Sequence, residues 1–482
     1  MKVKIHSGKL LDSAELITIA VFEDEKDNAL LKKLKLSNDY KKLLKSKSFK
    51  AKLCETRLLD KKSKSYHGLV GLGKKKEFSL EKLRRAVSAV HKKAKLLGAK
   101  SYFFPLEELS LSDEEKVFAA AESALLTNYK FDTYKNNNKD YREIETVFLC
   151  CHSKKNFAKT IRKAEIYANN VCYCRDLVNH PPNVLGPAYL ANEAKKLSKM
   201  GVKVTVLGKR ELVKGKFNGI LAVSSGSAKE PKLIILDYNS RAKKSVALVG
   251  KGITFDAGGL NLKPGGYINT MKSDMGGAAA VLASVKAAAE LKLNTRVIGV
   301  IPTCENMLGA NAYRPDDVLK MYSGKTVEIG NTDAEGRIIL ADALAYTDKK
   351  IKPNEIIDLA TLTGACVVAL GHWCSGLLTK NEGMAKKLEK AGVDSGDLVW
   401  RLPLWEDHGS LVDSDIADIR NISSVREAGT IEAAVFLSNF VKTKNWAHLD
   451  IAGTAYLKEA FHYQPKNGTG AGVRILLKYL EG

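Results

Sequence analysis

The sequence predicts an α/β protein with two domains: a small N-terminal α/β domain and a larger C-terminal domain whose mainly parallel central sheet is flanked by helices. Its 482 residues exceed what one hydrophobic core usually serves. Short apolar runs alternate with helical patterns throughout, and in the second part these runs are almost continuously apolar, as in strands covered on both faces. We predict an N-terminal domain over 1–150, a linking helix over 151–180 and the larger domain over 181–482.

Within the first 150 residues, apolar runs rich in β-branched and aromatic residues predict strands. One long amphipathic segment between them predicts a helix. The strand runs are LITIAVF, SYFFPL and ETVFLC, and the helical segment is LEKLRRAVSAVHKKAKLLG.

The linking helix is predicted from residues 156–178, which carry apolar residues at helical spacing and contain neither Gly nor Pro. The pattern ends at NHPPNVLGP, where paired prolines prevent the helix from continuing.

Beyond this helix, six Val/Ile/Leu-rich runs predict the strands of the larger sheet. They cover 202–208, 232–238, 245–255, 295–303, 355–362 and 447–453. Helical patterns over 275–293 and 336–350 suit crossover connections between parallel strands. Ligands of such sheets bind outside the carboxyl ends of the strands, so those ends are where we expect a site.

The chain is strongly basic, with a formal net charge of +23, and residues 41–100 hold a dense block of lysines. Few aromatic residues are interleaved with them, which favours a solvated lysine face. Nucleic-acid binding through this block is the alternative, and the sequence leaves it open.

The eight cysteines form no C-x-x-C pair, which argues against a disulfide framework or a zinc knuckle. The N-terminus lacks the apolar region of a signal peptide. No apolar run reaches the roughly 18 residues of a membrane helix. These features predict a cytoplasmic protein with no membrane partner.

Three glycine-rich segments at predicted strand ends carry an unusual set of ionisable residues. They are VGKGITFDAGG (249–259), NLKPGGYINTMKSDMGGAAA (261–280) and EIGNTDAEGRIILADAL (328–344). Their charged residues of interest are Lys251, Asp256, Lys263, Asp274, Asp333, Glu335 and Arg337. Four carboxylates brought together cannot all stay ionised unless cations offset their repulsion. Two divalent metals would do so and would make hydrolytic chemistry available.

Each segment also has a simpler interpretation. Lys251 and Asp256 could form a buried ion pair without metal, and Asp274 could be the N-cap of the following helix. Asp333 and Glu335 could belong to a capping loop with a surface salt bridge, although carboxylates two residues apart in an extended loop face the same way. The joint occurrence of all three segments at consecutive strand ends favours the metal site.

The strings VGKGITFDAGG, MKSDMGGAAA and NTDAEGR closely resemble the signatures of the leucyl aminopeptidase (cytosol aminopeptidase) family of dinuclear metallopeptidases. DLATLTGAC (358–366) and WAHLDIAGTA (446–455) resemble further family blocks in the expected order. The resemblance covers roughly residues 165–482, whereas residues 1–150 match only in size and α/β character. Ala257 stands where many relatives have serine.

The resemblance implies that 181–482 is a catalytic di-metal peptidase domain, with two divalent ions (Zn²⁺, Mn²⁺ or Mg²⁺) and a hydroxide activated by both as nucleophile. Asp256, Asp333 and Glu335 would bind one ion; Lys251, Asp256, Asp274 and Glu335 would bind the other. Lys263 would stabilise the developing oxyanion, and a bicarbonate near Arg337 would serve as general base.

By the same resemblance, the substrates are peptides with a free N-terminus, and the enzyme forms a homohexamer. A pocket preferring Leu and other apolar side chains would be formed by Met271, Thr361, Gly364, Ala452 and Ala455, with Asn331 and the Leu362 backbone orienting the peptide. Another two-metal hydrolase would predict histidine ligands and phosphate-binding motifs, which the three segments lack. Nucleic-acid binding could coexist with peptidase activity.

Overall fold

The computed structural model describes residues 1–482 except 7–13, 26–27, 63–64, 108, 137–142, 152, 154 and 426. The chain divides into two units. Unit 1 comprises Met1–Asn169 and Ala460–Pro465, and unit 2 comprises Asn170–Glu459 and Lys466–Gly482. The division falls inside a 22-residue helix, Ala158–Asn179.

Unit 1 is built on a six-stranded sheet in the order β1-β6-β5-β2-β4-β3. Its strands are β1 Lys2–His6, β2 Leu16–Val21, β3 Thr56–Lys62, β4 Ser65–Gly71, β5 Ser101–Pro105 and β6 Thr146–Cys150; its helices before the division are α1 Ala29–Lys33, α2 Ser37–Lys45, α3 Leu80–Leu96 and α4 Asp113–Thr127. The predicted runs LITIAVF, SYFFPL and ETVFLC supply β2, β5 and β6. Among the described strands of this sheet, β3 runs antiparallel to its neighbour β4, and the other pairs are parallel.

The lysine block lies in unit 1, and α2 carries three of its lysines. Lys41, Lys42 and Lys45 are exposed, whereas Tyr40 on the same helix is fully buried. The helix therefore turns its aromatic residue towards the core and its charges towards solvent, as an amphipathic surface helix does.

Unit 2 contains a nine-stranded sheet in the order β16-β15-β18-β14-β9-β11-β8-β7, with β10 pairing alongside β11. The strands are β7 Lys203–Leu207, β8 Lys232–Tyr238, β9 Ser245–Gly250, β10 Gly252–Asp256, β11 Arg296–Asn306, β14 Glu355–Ala360, β15 Ser375–Leu378, β16 Val399–Arg401 and β18 Trp446–Asp450. The central pairs are parallel, and antiparallel pairs occur towards the edges. The predicted fold class is confirmed.

Helices flank this sheet, and two small sheets complete the unit. The helices are α5 Ala158–Asn179, α6 Pro187–Lys196, α7 Lys209–Gly215, α8 Asn218–Ser224, α9 Gly276–Leu291, α10 Glu335–Tyr346, α11 Gly364–Leu370, α12 Glu382–Ser395, α13 Gly429–Ser438 and α14 Val473–Glu481. The small sheets join β12 Val318–Lys320, β13 Thr326–Glu328 and β17 Ile419–Arg420, and β19 Tyr456–Leu457 with β20 Asn467–Gly468. Helix α9 packs on the central strands β9, β11 and β14.

The sequence predicted one strand over 245–255, but the structure breaks it at Lys251. Pairing with β11 stops after Val249 and resumes at Gly252. The backbone of Lys251 instead bonds elsewhere: its N–H donates to Leu359 O at 3.0 Å, and its carbonyl accepts from Ala278 N at 2.8 Å. Helix α9 approaches so closely that a Cβ on Gly277 would lie 2.1 Å from Leu359 O. Apolar periodicity could not predict this contact, because α9 and Leu359 are distant in sequence.

Among the described residues, none of the helices combines the length and the apolar character that crossing a membrane requires.

A buried carboxylate, Asp342 on α10, ties together three parts of unit 2. Its Oδ2 accepts from the N–H groups of Gly219 (2.8 Å) and Ile220 (3.1 Å), and its Oδ1 accepts from Tyr322 N at 2.8 Å. Burial raises the pKa of Asp342 to about 7, although the three N–H donors oppose that shift. The side chain therefore satisfies backbone donors at the start of α8, where helix N–H groups lack partners within the helix.

We expect Asp342→Ala to lower the free energy of unfolding of unit 2 by about 3 kcal/mol or more, because each buried N–H left without an acceptor costs about 1–3 kcal/mol. Urea titration followed by tryptophan fluorescence measures this directly, since all four tryptophans lie in unit 2. Asp348→Ala is the matched control: Asp348 accepts two backbone N–H bonds in a more exposed position. Equal losses in the two variants would contradict the assignment.

Candidate metal centre

A cavity of about 460 Å³ opens in unit 2 beyond the carboxyl ends of parallel strands. It lies where β10 and β14 end and where α10 begins. Its walls comprise Lys251, Asp256, Lys263, Pro264, Tyr267, Met271, Ser273, Asp274, Asp333, Glu335, Thr361, Leu362, Thr363, Gly364, Val367, Ala452, Ala455 and Tyr456. This is the place that the topology of an open α/β sheet favours for a ligand.

Three of the predicted carboxylates converge on one point of this cavity. Asp256, Asp333 and Glu335 each offer an oxygen, and these oxygens lie within 4.8 Å of one another. Asp256 is the last residue of β10, whereas Glu335 is the first residue of α10. Asp333 lies in the turn before α10. The two carboxylates of the NTDAEG motif, Asp333 and Glu335, therefore do not share an extended loop, yet both reach the cluster. The helix N-terminus adds a partial positive charge that favours the Glu335 carboxylate.

The amine of Lys251 lies between the carboxylates of Asp274 and Glu335. Nζ lies 2.9 Å from Asp274 Oδ2 and 2.9 Å from Glu335 Oε1, and it donates to Thr361 O at 3.0 Å. Burial acts to lower the pKa of Lys251, but the surrounding carboxylates outweigh it and raise the pKa above its ordinary value. The side chain passes over Gly336, where an added Cβ would lie 2.5 Å from Nζ. A glycine at this position of α10 is therefore required for Lys251 to reach the cluster.

Asp274 lines the cavity and is not the N-cap of α9. The N-cap of α9 is Met275, and Asp274 directly follows a short 3₁₀ turn, Met271–Ser273. Its Oδ1 accepts from Thr361 Oγ1 at 2.7 Å. Burial holds the pKa of Asp274 well above its usual value, although Lys251 acts in the opposite direction.

Lys263 lies on the other side of the cluster, in the segment that follows β10. Its Nζ is 2.8 Å from Asp256 Oδ2 and 2.6 Å from Asp333 Oδ1. Partial burial acts to lower the pKa of Lys263, but the negative charges of Asp256, Glu335 and Asp333 outweigh it and raise the pKa. Burial and the neighbouring carboxylates raise the pKa of Asp333 to about 6, with Lys263 opposing them. Lys263 is thus held as an ammonium facing the cavity.

The donor set fits divalent cations. Three buried oxygens, Asp274 Oδ2, Asp333 Oδ1 and Glu335 Oε1, have ion-pair contacts with a lysine but no hydrogen bond of good geometry within the part of the chain that the structure describes. The two lysines offset only part of the charge of the four carboxylates, and buried charge that is not offset carries a large desolvation cost. Carboxylates together with one amine suit Zn²⁺, Mn²⁺ or Mg²⁺.

Arg337 and Asn331 are the two predicted site residues outside the cavity wall. Arg337 Nη1 donates to Asn421 O at 2.7 Å and to Glu432 Oε1 at 2.6 Å. Asn331 Oδ1 accepts from Asp333 N at 2.7 Å, which fixes the backbone of that carboxylate.

The six remaining predicted pocket residues all line the cavity: Met271, Thr361, Leu362, Gly364, Ala452 and Ala455. The wall they form is mostly small or apolar, and a Cβ on Gly364 would meet nothing within 4 Å. Asp450 accepts from the N–H groups of Leu362 (3.2 Å) and Ala452 (3.1 Å), so a buried carboxylate joins the two loops of this wall.

Sequence reasoning missed other residues of the site. Pro264, Tyr267, Ser273, Thr363, Val367 and Tyr456 also line the cavity. Asn306 contacts Asp256 from behind. A polar pair, Glu305–Asn306, at the end of the apolar run of β11 was the available signal for Asn306.

Comparison with known proteins places both parts of the chain in one family. The family model described as cytosol aminopeptidase family, catalytic domain, matches residues 172–477, and its N-terminal domain model matches residues 18–138. The probable cytosol aminopeptidase of Geobacter sp. (strain M21) is 42% identical over 491 residues, covering 100% of this chain and 99% of the relative. That of Roseiflexus castenholzii is 44% identical over 421 residues, covering 86% of each chain.

Solved structures agree. The bottromycin maturation enzyme BotP is 31% identical and superposes with a TM-score of 0.85, covering 97% of this chain and 99% of BotP. The same enzyme in complex with Mn gives a TM-score of 0.86. From the family models, the relatives and the shared fold, the chain belongs to the cytosol aminopeptidase family of metal-dependent exopeptidases.

Proposed function

We propose that this metal-dependent aminopeptidase releases leucine and other apolar residues from the free N-terminus of peptides, with two divalent ions at the carboxylate cluster. The observation that carries the proposal is the convergence of Asp256, Asp333 and Glu335 oxygens within 4.8 Å in the wall of a cavity. Asp274 and Lys251 extend this set on one side. No histidine lies among the lining residues, which sets the site apart from histidine-rich hydrolases.

The proposed ligands divide into two overlapping sets. Asp256, Asp333 and Glu335 would hold one ion, and Lys251, Asp256, Asp274 and Glu335 the other, with Zn²⁺, Mn²⁺ or Mg²⁺ as candidates. When bound, the ions would supply Lewis-acid activation of a water nucleophile and of the scissile carbonyl. Lys251 must be deprotonated to serve as a ligand, because ligating groups give up their protons.

Lys263 is proposed to stabilise the oxyanion that develops on the scissile carbonyl. Its ammonium faces the cavity between Asp256 and Asp333, and the raised pKa keeps it charged. A fixed positive charge at the position where negative charge develops lowers the barrier most effectively in a site with little water.

We assign substrate selection to two groups of the N-terminal residue, its α-amine and its side chain. The free α-amine would bind at the ion site that these carboxylates hold, so a blocked N-terminus would not bind productively. The side chain would lie against the apolar wall formed by Met271, Gly364, Ala452 and Ala455. A wall of this kind favours Leu and similar side chains over charged ones.

Arg337 is proposed to hold a bicarbonate that acts as general base, and Asn331 to orient the peptide together with the Leu362 backbone. The guanidinium already donates to Glu432 and Asn421 through Nη1, while its buried Nε has no acceptor among the described residues. Arg is well suited to bidentate binding of a small oxyanion.

We further propose a homohexamer located in the cytoplasm. The eight cysteines are all free thiols, in keeping with a reducing compartment. Trp373, Trp400 and Trp405 are each exposed by about two thirds, in keeping with coverage by other copies. Sedimentation velocity measures the assembly state.

Nucleic-acid binding through the lysine block remains a prediction that only the charge of residues 41–100 supports.

The first test is chelation and metal restoration. We expect the chelated protein to lose hydrolysis of leucine-p-nitroanilide and to regain it with Mn²⁺ or Zn²⁺, because the ions would activate the water and the scissile carbonyl. The N-acetylated compound is the control, and it should not be cleaved in any state. Equal cleavage of both compounds would show that the α-amine is not recognised.

The second test separates the two lysines. We expect Lys263→Ala to lower kcat by about 10²–10³-fold, the usual effect of removing one oxyanion donor, while its metal content stays near that of the parent. Lys251→Ala should instead lose bound metal, as measured by elemental analysis.

Lys286→Ala is the matched control for both lysine variants, because Lys286 forms an ion pair with Glu290 and does not line the cavity. It should retain both activity and metal. Metal loss in Lys263→Ala with retention in Lys251→Ala would mean that the two roles are exchanged.

The third test concerns the apolar wall. We expect Ala452→Phe to lower kcat/KM for leucine substrates about tenfold or more, because overfilling a packed site costs about 1–3 kcal/mol and 1.4 kcal/mol is a factor of ten. Alanine substrates should be affected less, which steady-state kinetics with both p-nitroanilides would reveal. Ala417→Phe, half-buried outside the cavity, is the control. An equal loss for both substrates would argue against a pocket role.

A further inference from the structure

Asn306 contacts a candidate metal ligand from behind the site. It is the last residue of β11, is fully buried and lies opposite Asp256 in the register of β10 and β11. Its Nδ2 donates to Asp256 Oδ1 at 2.8 Å and to the carbonyl of Thr332 at 3.0 Å. One amide therefore links the strand that ends in Asp256 to the loop that precedes Asp333.

The orientation of this amide is fixed by its surroundings. Asp256 Oδ1 and Thr332 O are both acceptors, so the NH₂ group of Asn306 must face them. The reversed amide would place its own oxygen against these two oxygens. Asn306 Oδ1 consequently has no hydrogen bond within the described residues, and it lies close to Gly259. Leaving this acceptor unpaired in the interior costs free energy. The contacts with Asp256 Oδ1 and Thr332 O thus determine how the side chain is placed.

The two oxygens of Asp256 have different surroundings. Oδ1 accepts from Asn306 Nδ2 and also from Gly258 N at 2.9 Å. Oδ2 instead faces the cavity, 2.8 Å from Lys263 Nζ. Two N–H donors occupy Oδ1, whereas only the oxygen on the cavity side is left for a cation.

We propose that Asn306 is a positioning residue that makes Asp256 a one-oxygen ligand. Oδ2 would then be the oxygen of Asp256 that is available to a metal ion. The inference rests on the metal site of the proposed function and assigns a role to a residue outside it. Hydrogen bonds that orient ligating carboxylates typically change metal affinity by about 10–100-fold when they are removed.

Asn421 is the matched control that separates a positioning role of Asn306 from a purely structural one. Asn421 is also fully buried and supports the same loop: its Nδ2 donates to Asn331 O at 2.7 Å, and its Oδ1 accepts from Gly330 N at 2.8 Å. Its side chain makes no hydrogen bond to a candidate ligand carboxylate. Removing it therefore disturbs the loop without freeing Asp256.

The experiment is calorimetric titration of the chelated full-length protein with Mn²⁺, alongside thermal unfolding without metal. We expect Asn306→Ala to weaken Mn²⁺ binding by about 10–100-fold. Asn421→Ala should lower the melting temperature as much, yet keep an affinity close to that of the parent. Asn306→Ser, which fits the same space but cannot reach Asp256 as the amide does, should resemble Asn306→Ala and decides the test if the alanine variant does not fold.

Unchanged Mn²⁺ affinity in the folded Asn306 variant would overturn the inference while leaving the metal site in place. An equal loss in Asn421→Ala would overturn it as well, because the effect would then belong to the loop. If the parent protein bound no Mn²⁺, the proposed function itself would fail.

Discussion

The site depends on the balance of charge around carboxylates that the fold forces together. At an effective dielectric constant of about 20, two like charges about 4 Å apart repel by roughly 4 kcal/mol. Asp256, Asp333 and Glu335 have oxygens within 4.8 Å of one another, and Asp274 joins them through Lys251. Two ammonium groups offset part of this charge, so four carboxylates retain an excess of about two negative charges. Burial raises the pKa values of Asp274 and Asp333, and repulsion from the neighbouring carboxylates adds to that effect.

The fold maintains this arrangement through contacts that are distant in sequence. The interruption between β9 and β10 removes Lys251 from the ladder to β11 and ties its backbone to β14 and α9. Close packing at Gly277 and Gly336 leaves room for this course of the chain. Asn306, Thr361 and Asp450 then hold the carboxylates and the pocket loops from behind. The geometry of the carboxylate cluster is therefore a property of the packed sheet rather than of one loop.

Much of this could be predicted from the sequence, because apolar periodicity and glycine-flanked charges are local signals. The run 232–238 corresponds to β8 without change, and the carboxylates named from the three segments do meet at one place. The break at Lys251 could not be predicted, since it depends on a contact with α9. Strands β1 and β3 were missed because charged residues interrupt their apolar runs, and β4 was missed because Ser, His and Gly break its apolar run. Asn306 was missed because one buried amide has no pattern of its own.

The candidate ligands come from segments spread between Lys251 and Glu335, and they meet only when unit 2 is folded. Ions that bind the native form but not the unfolded chain shift the folding equilibrium by mass action. The concentration of free divalent ions around the protein would then govern how often unit 2 opens, and hence its lifetime against proteolysis. Metal supply would determine the abundance of the enzyme as well as its activity.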